Sequence, residues 1–194
     1  EIELPSNTFT IRQQTNYPWS GQVQLSIQAE KPTETTLKFR IPSWARNNPI
    51  PGDLYHYHQA TALAPTISVD GQPVEGSVQD GYFTLTRNWE AGATVELNFP
   101  MPVQLVEASA KIAEDIGKVA LERGPLVYAI EEVDNKAGFD HIKISPQDTF
   151  AVQQEPELLG GIFTLKNEKL KAVPYYAWSN RGIGKMKVWM AFVP

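Results

Sequence analysis

The sequence predicts an all-β protein made of two consecutive antiparallel β-sandwich domains, and three observations carry that prediction. Apolar and polar residues alternate with a period of two through most of the chain, the pattern of half-buried strands. The alternating runs are short and bounded by Gly, Pro, Asn and Asp, the residues that turns require. The 194 residues also divide into two strand-dense stretches of roughly a hundred residues each, the size of an ordinary sandwich.

In the first stretch Val23, Leu25, Ile27 and Ala29 alternate with Gln22, Gln24, Ser26 and Gln28. Leu37, Phe39 and Ile41 alternate with Lys38 and Arg40. Ile67 and Val69 run into Asp70-Gly71, a hairpin dipeptide whose Gly tolerates positive φ. Phe83 and Leu85 share one face of the next strand, and residues 88–92 read as a turn. Val95, Leu97 and Phe99 alternate on the returning strand, which Pro100 and Pro102 end because Pro donates no ladder hydrogen bond.

A second set of strands is expected at residues 118–122, 126–130, 141–144, 150–153, 162–165, 174–178 and 186–192, with one short helix at 108–116 that could equally be strand. The boundary falls between Pro102 and Glu107, giving domains 1–105 and 106–194. Residues 42–65 break the rhythm, with four prolines and no sustained alternation. So long an irregular segment inside a compact domain usually has a function.

Composition narrows what the chain can do. Its formal charge is −5 and it has no basic stripe, so it lacks the clustered Lys and Arg that phosphate contacts need, which argues against nucleic acid and anionic lipid as partners. No run of 18 apolar residues marks a membrane span. The absence of Cys removes disulfides, thiolate nucleophiles and Cys-ligated zinc, and is compatible with a cytoplasmic or a periplasmic home. The opening Glu1-Ile2-Glu3-Leu4-Pro5 is neither a signal peptide nor an initiator, so the chain reads as part of a longer one.

The search for chemistry selects no catalytic residue. There is no Gly-x-Ser-x-Gly elbow, and a triad would have to recruit one of three histidines. The acidic residues, Glu122, Glu131 and Glu132 among them, are scattered, and a glycosidase pair is set by spatial distance rather than spacing; Glu131-Glu132 reads as a solvated strand end. Residues 182–185 are too short for a phosphate-binding loop and read as a turn. His56-Tyr57-His58 would place two imidazoles on one side of a strand, but a metal would need a third donor such as Asp53 or His141. Solvated or hydrogen-bonded histidines are the commoner outcome.

Among the aromatics, Phe39, Phe83 and Phe99 lie on expected core faces, and Trp89 is expected in a turn. Trp19, Trp44, Tyr55, Tyr57, Tyr175, Tyr176 and Trp178 are less clearly core. Trp44, Arg46, Tyr55, His56, Tyr57 and His58 are the candidate interface or ligand-binding residues, since they put rings and polar groups into a segment the strand pattern does not bury.

Six phrases then stand in order: Asn16-Tyr17-Pro18-Trp19 with Gly21; Phe39-Arg40-Ile41-Pro42-Ser43-Trp44-Ala45; Asp53-Leu54-Tyr55; Gly81-Tyr82-Phe83 with Arg87 and Trp89-Glu90-Ala91-Gly92; Glu122-Arg123-Gly124-Pro125-Leu126-Val127-Tyr128; and Pro174-Tyr175-Tyr176-Ala177-Trp178-Ser179-Asn180-Arg181-Gly182. Together they resemble the C-terminal region of bacterial β-L-arabinofuranosidase-type glycoside hydrolases, glycoside hydrolase family 127 and its relatives. The resemblance implies a parent enzyme with an (α/α)-barrel catalytic domain followed by β-sandwiches. It further implies a retaining reaction with a cysteine nucleophile, a glutamate acid/base and a zinc ion held by Cys and Glu, all in the barrel. None of those residues has a counterpart here, so no cofactor is expected in this chain. Two roles follow: a non-catalytic support for the barrel, acting with it on plant-derived arabinose-type sugars, or a carbohydrate-binding module with its own aromatic site. An adhesion sandwich unrelated to sugars is a third. On the first reading, residues 42–65 dock the barrel.

Overall fold

The computed structural model describes residues 1–194 except Ser6, Ala91 and Ala137. Among the described residues there is no α-helix; strands are joined by turns and four single-turn 3-10 segments. The chain forms two compact units, one of residues 1–46 and 62–101, the other of residues 47–61 and 102–194. The expected domains 1–105 and 106–194 differ from this chiefly in one segment: residues 47–61 leave the first unit and belong to the second.

In the first unit a six-stranded antiparallel sheet runs in the order Ile2–Leu4, Asn7–Thr15, Gln22–Ala29, Ala93–Asn98, Thr66–Val69, Gln72–Pro73. A three-stranded sheet, Thr33–Arg40, Tyr82–Trp89 and Val78–Gln79, packs on it. The alternation does what period two predicts: Val23, Leu25, Ile27 and Ala29 point inward while Gln22, Gln24 and Gln28 are exposed. Phe9, Ile27, Phe39, Phe83, Trp89 and Val95 fill the space between the sheets. Asp70 and Gly71 both take positive φ, 51° and 76°, as a type I′ hairpin requires, and Asp80-Gly81 repeats the device at 51° and 81°. Trp89 is not in a turn. It ends a strand, fully buried, and its indole N–H donates to the Thr35 carbonyl at 2.8 Å. The expected turn at 88–92 therefore begins later, and its Ala91 lies outside the described residues.

Gly21 shows why one of the family-like phrases needs glycine. A Cβ there would lie 1.8 Å from the Phe99 carbonyl oxygen, because Phe99 N–H donates to the Gly21 carbonyl at 3.0 Å and the two backbones run in contact.

The second unit is one branched sheet. Lys118–Arg123 pairs with Val103–Ala108 on one side, and with Leu126–Glu131 and Met190–Phe192 at different points of its length. Leu126–Glu131 continues to Lys171–Pro174, Ile162–Lys166 and Ala151–Glu155. Because the sheet forks, its leaves enclose a core of Val119, Leu121, Tyr128, Ile130, Ile144, Leu165 and Met190. Lys143–Ile144 joins Met190–Phe192 in parallel, and the other pairings are antiparallel.

Three expectations are corrected here. The helix expected at 108–116 is the end of a strand, a turn and a 3-10 segment Ala113–Asp115. The strand expected at 174–178 ends at Pro174 and turns into the 3-10 segment Tyr175–Ala177, since Pro removes a ladder donor. The run 186–192 is split into Met186–Lys187 and Met190–Phe192, which pair with different strands.

Candidate functional site

Residues 42–65 are irregular over most of their length, with two short regular pieces, the 3-10 segment Trp44–Arg46 and the strand Tyr55–Tyr57. Trp44 sits in the 3-10 segment Trp44–Arg46, only 8% exposed, edge-on to Phe99 with ring centres 5.9 Å apart. Arg46 Nε donates to the Ile41 carbonyl at 3.2 Å. Farther on, Tyr55–Tyr57 is a strand paired antiparallel with Val103–Ala108. Alternation within it sends Tyr57 inward to Val106 and Ala120. Tyr55 stacks on Trp189 at 5.8 Å and 20°. His56 and His58 share the other side, as their spacing predicts. What they meet is Glu107: His58 Nδ1 is hydrogen-bonded to Glu107 Oε1, and His56 Nε2 lies 3.9 Å from Glu107 Oε2. His58 also packs edge-on to Phe192 at 4.9 Å.

Of the six candidates, then, Trp44 and Tyr57 are corrected to core residues, because residues far from them in sequence cover them. Asp53, considered as a third metal donor, pairs with Lys111 at 2.5 Å, and His141 sits exposed in the 3-10 segment Phe139–His141. Among the described residues no group of three His, Cys, Asp or Glu side chains could hold a metal ion.

Tyr57 leads to a buried acid. Its hydroxyl donates to Glu122 Oε1 at 2.6 Å, and both side chains are buried. Burial pushes the Glu122 carboxyl up to about 7 while the Tyr57 hydrogen bond pulls it down. Burial, with the carboxylate's charge and hydrogen bond added, holds the Tyr57 phenol well above its ordinary range. A carboxyl so placed could move protons, but it is only 5% exposed and is held by the Tyr57 hydroxyl.

The second cluster lies at the end of the strand Lys171–Pro174. Tyr175, Tyr176 and Trp178 are 46%, 59% and 37% exposed, and Ile183 stands fully in solvent on the same segment. The Tyr175 and Trp178 rings are near-parallel, 27° apart, with centres 6.5 Å from each other. Underneath, the segment is fastened by charge. Arg181 Nη1 and Nη2 donate to the two Asp134 oxygens at 2.9 and 2.5 Å, and Nη2 also donates to Glu131 Oε2. Those two carboxylates raise the guanidinium's pKa above its already high value. Ser179 N–H donates to Glu131 Oε1 at 2.9 Å, and Asn180 Nδ2 donates to the Ala177 and Trp178 carbonyls. Lys171 Nζ continues the network to Glu155 at 2.7 Å. Glu131 is therefore buried and paired, not the solvated strand end that the sequence suggested. Its partners are 48 and 50 residues away, so no local signal announces them.

Fold and site together define a pair of all-β domains that presents an aromatic segment on a rigid ionic base. The chain belongs to glycoside hydrolase family 127. Residues 1–101 match the β-L-arabinofuranosidase GH127 middle domain and residues 103–191 the family's C-terminal domain. It is 32% identical, over 92% of its length, to a non-reducing end β-L-arabinofuranosidase of Bifidobacterium longum subsp. longum, of which it covers 30%. A solved GH127 β-arabinofuranosidase superimposes with a TM-score of 0.90 at 37% identity, covering 99% of this chain and 33% of that one. A GH127 β-L-arabinofuranosidase from Geobacillus stearothermophilus T6 gives 0.85 at 31% identity, covering 99% and 32%. The chain thus spans about a third of the length of these relatives.

Proposed function

We propose that this chain is the non-catalytic β-sandwich region of a longer glycoside hydrolase acting on plant-derived arabinose-type sugars, and that it holds an (α/α)-barrel catalytic domain of the same polypeptide in place. The observation that carries the reading is the exposed aromatic segment Tyr175, Tyr176, Trp178 and Ile183 on its Arg181 base. Leaving such rings in water forgoes roughly 1.5–3 kcal/mol for each large apolar side chain that could be buried. Tyr and Trp are the residues that dominate interfaces, and a base fastened in advance lowers the ordering cost of docking. Relatives three times as long supply the surface that would cover it.

A second reading has one observation in its favour. The near-parallel Tyr175 and Trp178 rings could stack on the apolar face of a sugar, making this segment a carbohydrate-binding platform. Titrating the chain with arabino-oligosaccharides while following Trp fluorescence separates the two. On the docking reading the chain binds no sugar and hydrolyses no aryl arabinofuranoside, whereas Trp178→Ala in the full-length parent lowers the cooperativity between barrel and sandwich unfolding. Sugar binding that Trp178→Ala abolishes would replace docking by the platform.

A further inference from the structure

Among the described residues the first unit has unequal sheets, six strands against three. Thr33–Arg40 ends the small sheet. It pairs over all eight residues with Tyr82–Trp89, and among the described residues its other edge has no strand partner. Facing that edge, the strand Asn7–Thr15 is covered only at its start. Of its inward-pointing residues Phe9 is buried and Ile11 half-buried, while Gln13 and Thr15 are exposed. Between edge and strand lies an open, mainly apolar cleft of about 810 Å³, walled by Ile2, Ile11, Leu25, Leu37, Phe39 and Phe99.

We infer that the cleft and the free edge together seat one extended segment of the parent polypeptide, drawn from the region that precedes the middle domain. This segment pairs with Thr33–Arg40 as a fourth strand of the small sheet and puts its alternate apolar side chains into the cleft. The chemistry is strand addition: an edge supplies the main-chain donors and acceptors, and a pocket row beside it selects every second side chain. A long unpaired edge bordering apolar surface is a liability that folded proteins cover. The occupant follows from connectivity. Residues 1–101 match a domain that the family places in the middle of its chain, and Ile2 is itself part of the cleft wall. Residues that precede this domain in the parent would therefore start beside the mouth of the cleft. An eight-residue edge accepts a partner of about six to eight residues, roughly 20–26 Å of extended chain. The inference rests on the reading that this chain is part of the longer enzyme, and it goes beyond the docking of the 175–183 segment.

The test is hydrogen exchange resolved to single amides, on this chain and on the full-length parent. Alternate N–H groups of Thr33–Arg40 point to the free edge. They should exchange fast in this chain and slow by about tenfold or more in the parent, as newly paired strand amides do. A photo-crosslinking phenylalanine analogue in place of Leu37 in the parent should form its adduct with a peptide preceding Glu1. Unchanged exchange at these amides, or an adduct to a second copy or to residues after Pro194, overturns the inference. Residues 175–183, followed in the same experiment, report the docking reading separately. If they are protected in the parent while the edge is not, only strand addition fails; if the edge is protected while they are not, only the docking surface fails.

Discussion

Replacing Glu122 by Gln should remove a pH dependence of stability that the native chain carries. The Glu122 carboxyl stands at about 7 in the fold against 4.5 for an ordinary glutamate. At 1.36 kcal/mol per unit this difference is worth about 3 kcal/mol. The folded value is raised, so the fold favours the protonated form. Below about pH 4.5 the group is neutral in both states and contributes no penalty. As pH rises from about 4.5 to about 7 the unfolded chain ionises first, and the native chain loses roughly 3 kcal/mol of stability from this group. Gln keeps an oxygen for the Tyr57 hydroxyl and never ionises. The stability difference, variant minus native, should therefore grow by about 2–3 kcal/mol between pH 4.5 and pH 8. Tyr57→Phe acts in the opposite sense. It removes the hydrogen bond that lowers the carboxyl's pKa, so the decline continues to higher pH, on top of a loss of about 1–3 kcal/mol from an unmade buried bond. Urea unfolding followed by Trp fluorescence at pH 4.5, 6 and 8 reads all three proteins. Parallel pH curves for native and Glu122→Gln would refute the argument, because a carboxyl that ionises equally in both states cannot tilt the equilibrium.

Gly21→Ala should destabilise the first unit by about 1–3 kcal/mol or more, seen as a lower thermal midpoint, since backbone on both sides must move apart to admit the methyl group. Arg181→Ala strands Glu131 as a buried unpaired charge and should cost about 3–5 kcal/mol in denaturant unfolding. Arg181→Lys should recover only part of this, because a single ammonium cannot reproduce the two-nitrogen grip on Asp134; full recovery would show that the fork geometry is irrelevant. Trp178→Ala should lower the unfolding free energy of this chain by no more than about 1 kcal/mol, as for other partly exposed sites, while weakening barrel–sandwich coupling in the parent.

Most strands were legible because alternation is a local property. Residues i and i+2 share a face whatever else the chain does, so the strand Gln22–Ala29 and the Asp70-Gly71 turn could be read directly. The glycine and aromatic phrases likewise resemble one family by sequence alone. The segment 42–65 was legible only as an interruption. Whether Trp44 and Tyr57 were exposed depended on Phe99, Val106 and Glu122, which lie 49 to 65 residues away along the chain.

The candidate site divides in the same way. The aromatic residues 175, 176 and 178 stood in the sequence as rings without a clear core face, and the structure leaves them exposed. The base that fastens them was invisible, because nothing near Arg181 marks Glu131 and Asp134 as its partners. By itself the sequence determined the periodicity, the turns and the family, each of which is set by neighbours along the chain. Only the tertiary structure decided which acids are buried, which rings reach solvent and which strand edge is left open. Those depend on burial and on pairings between distant residues, and desolvation acts on a side chain according to its neighbours in space.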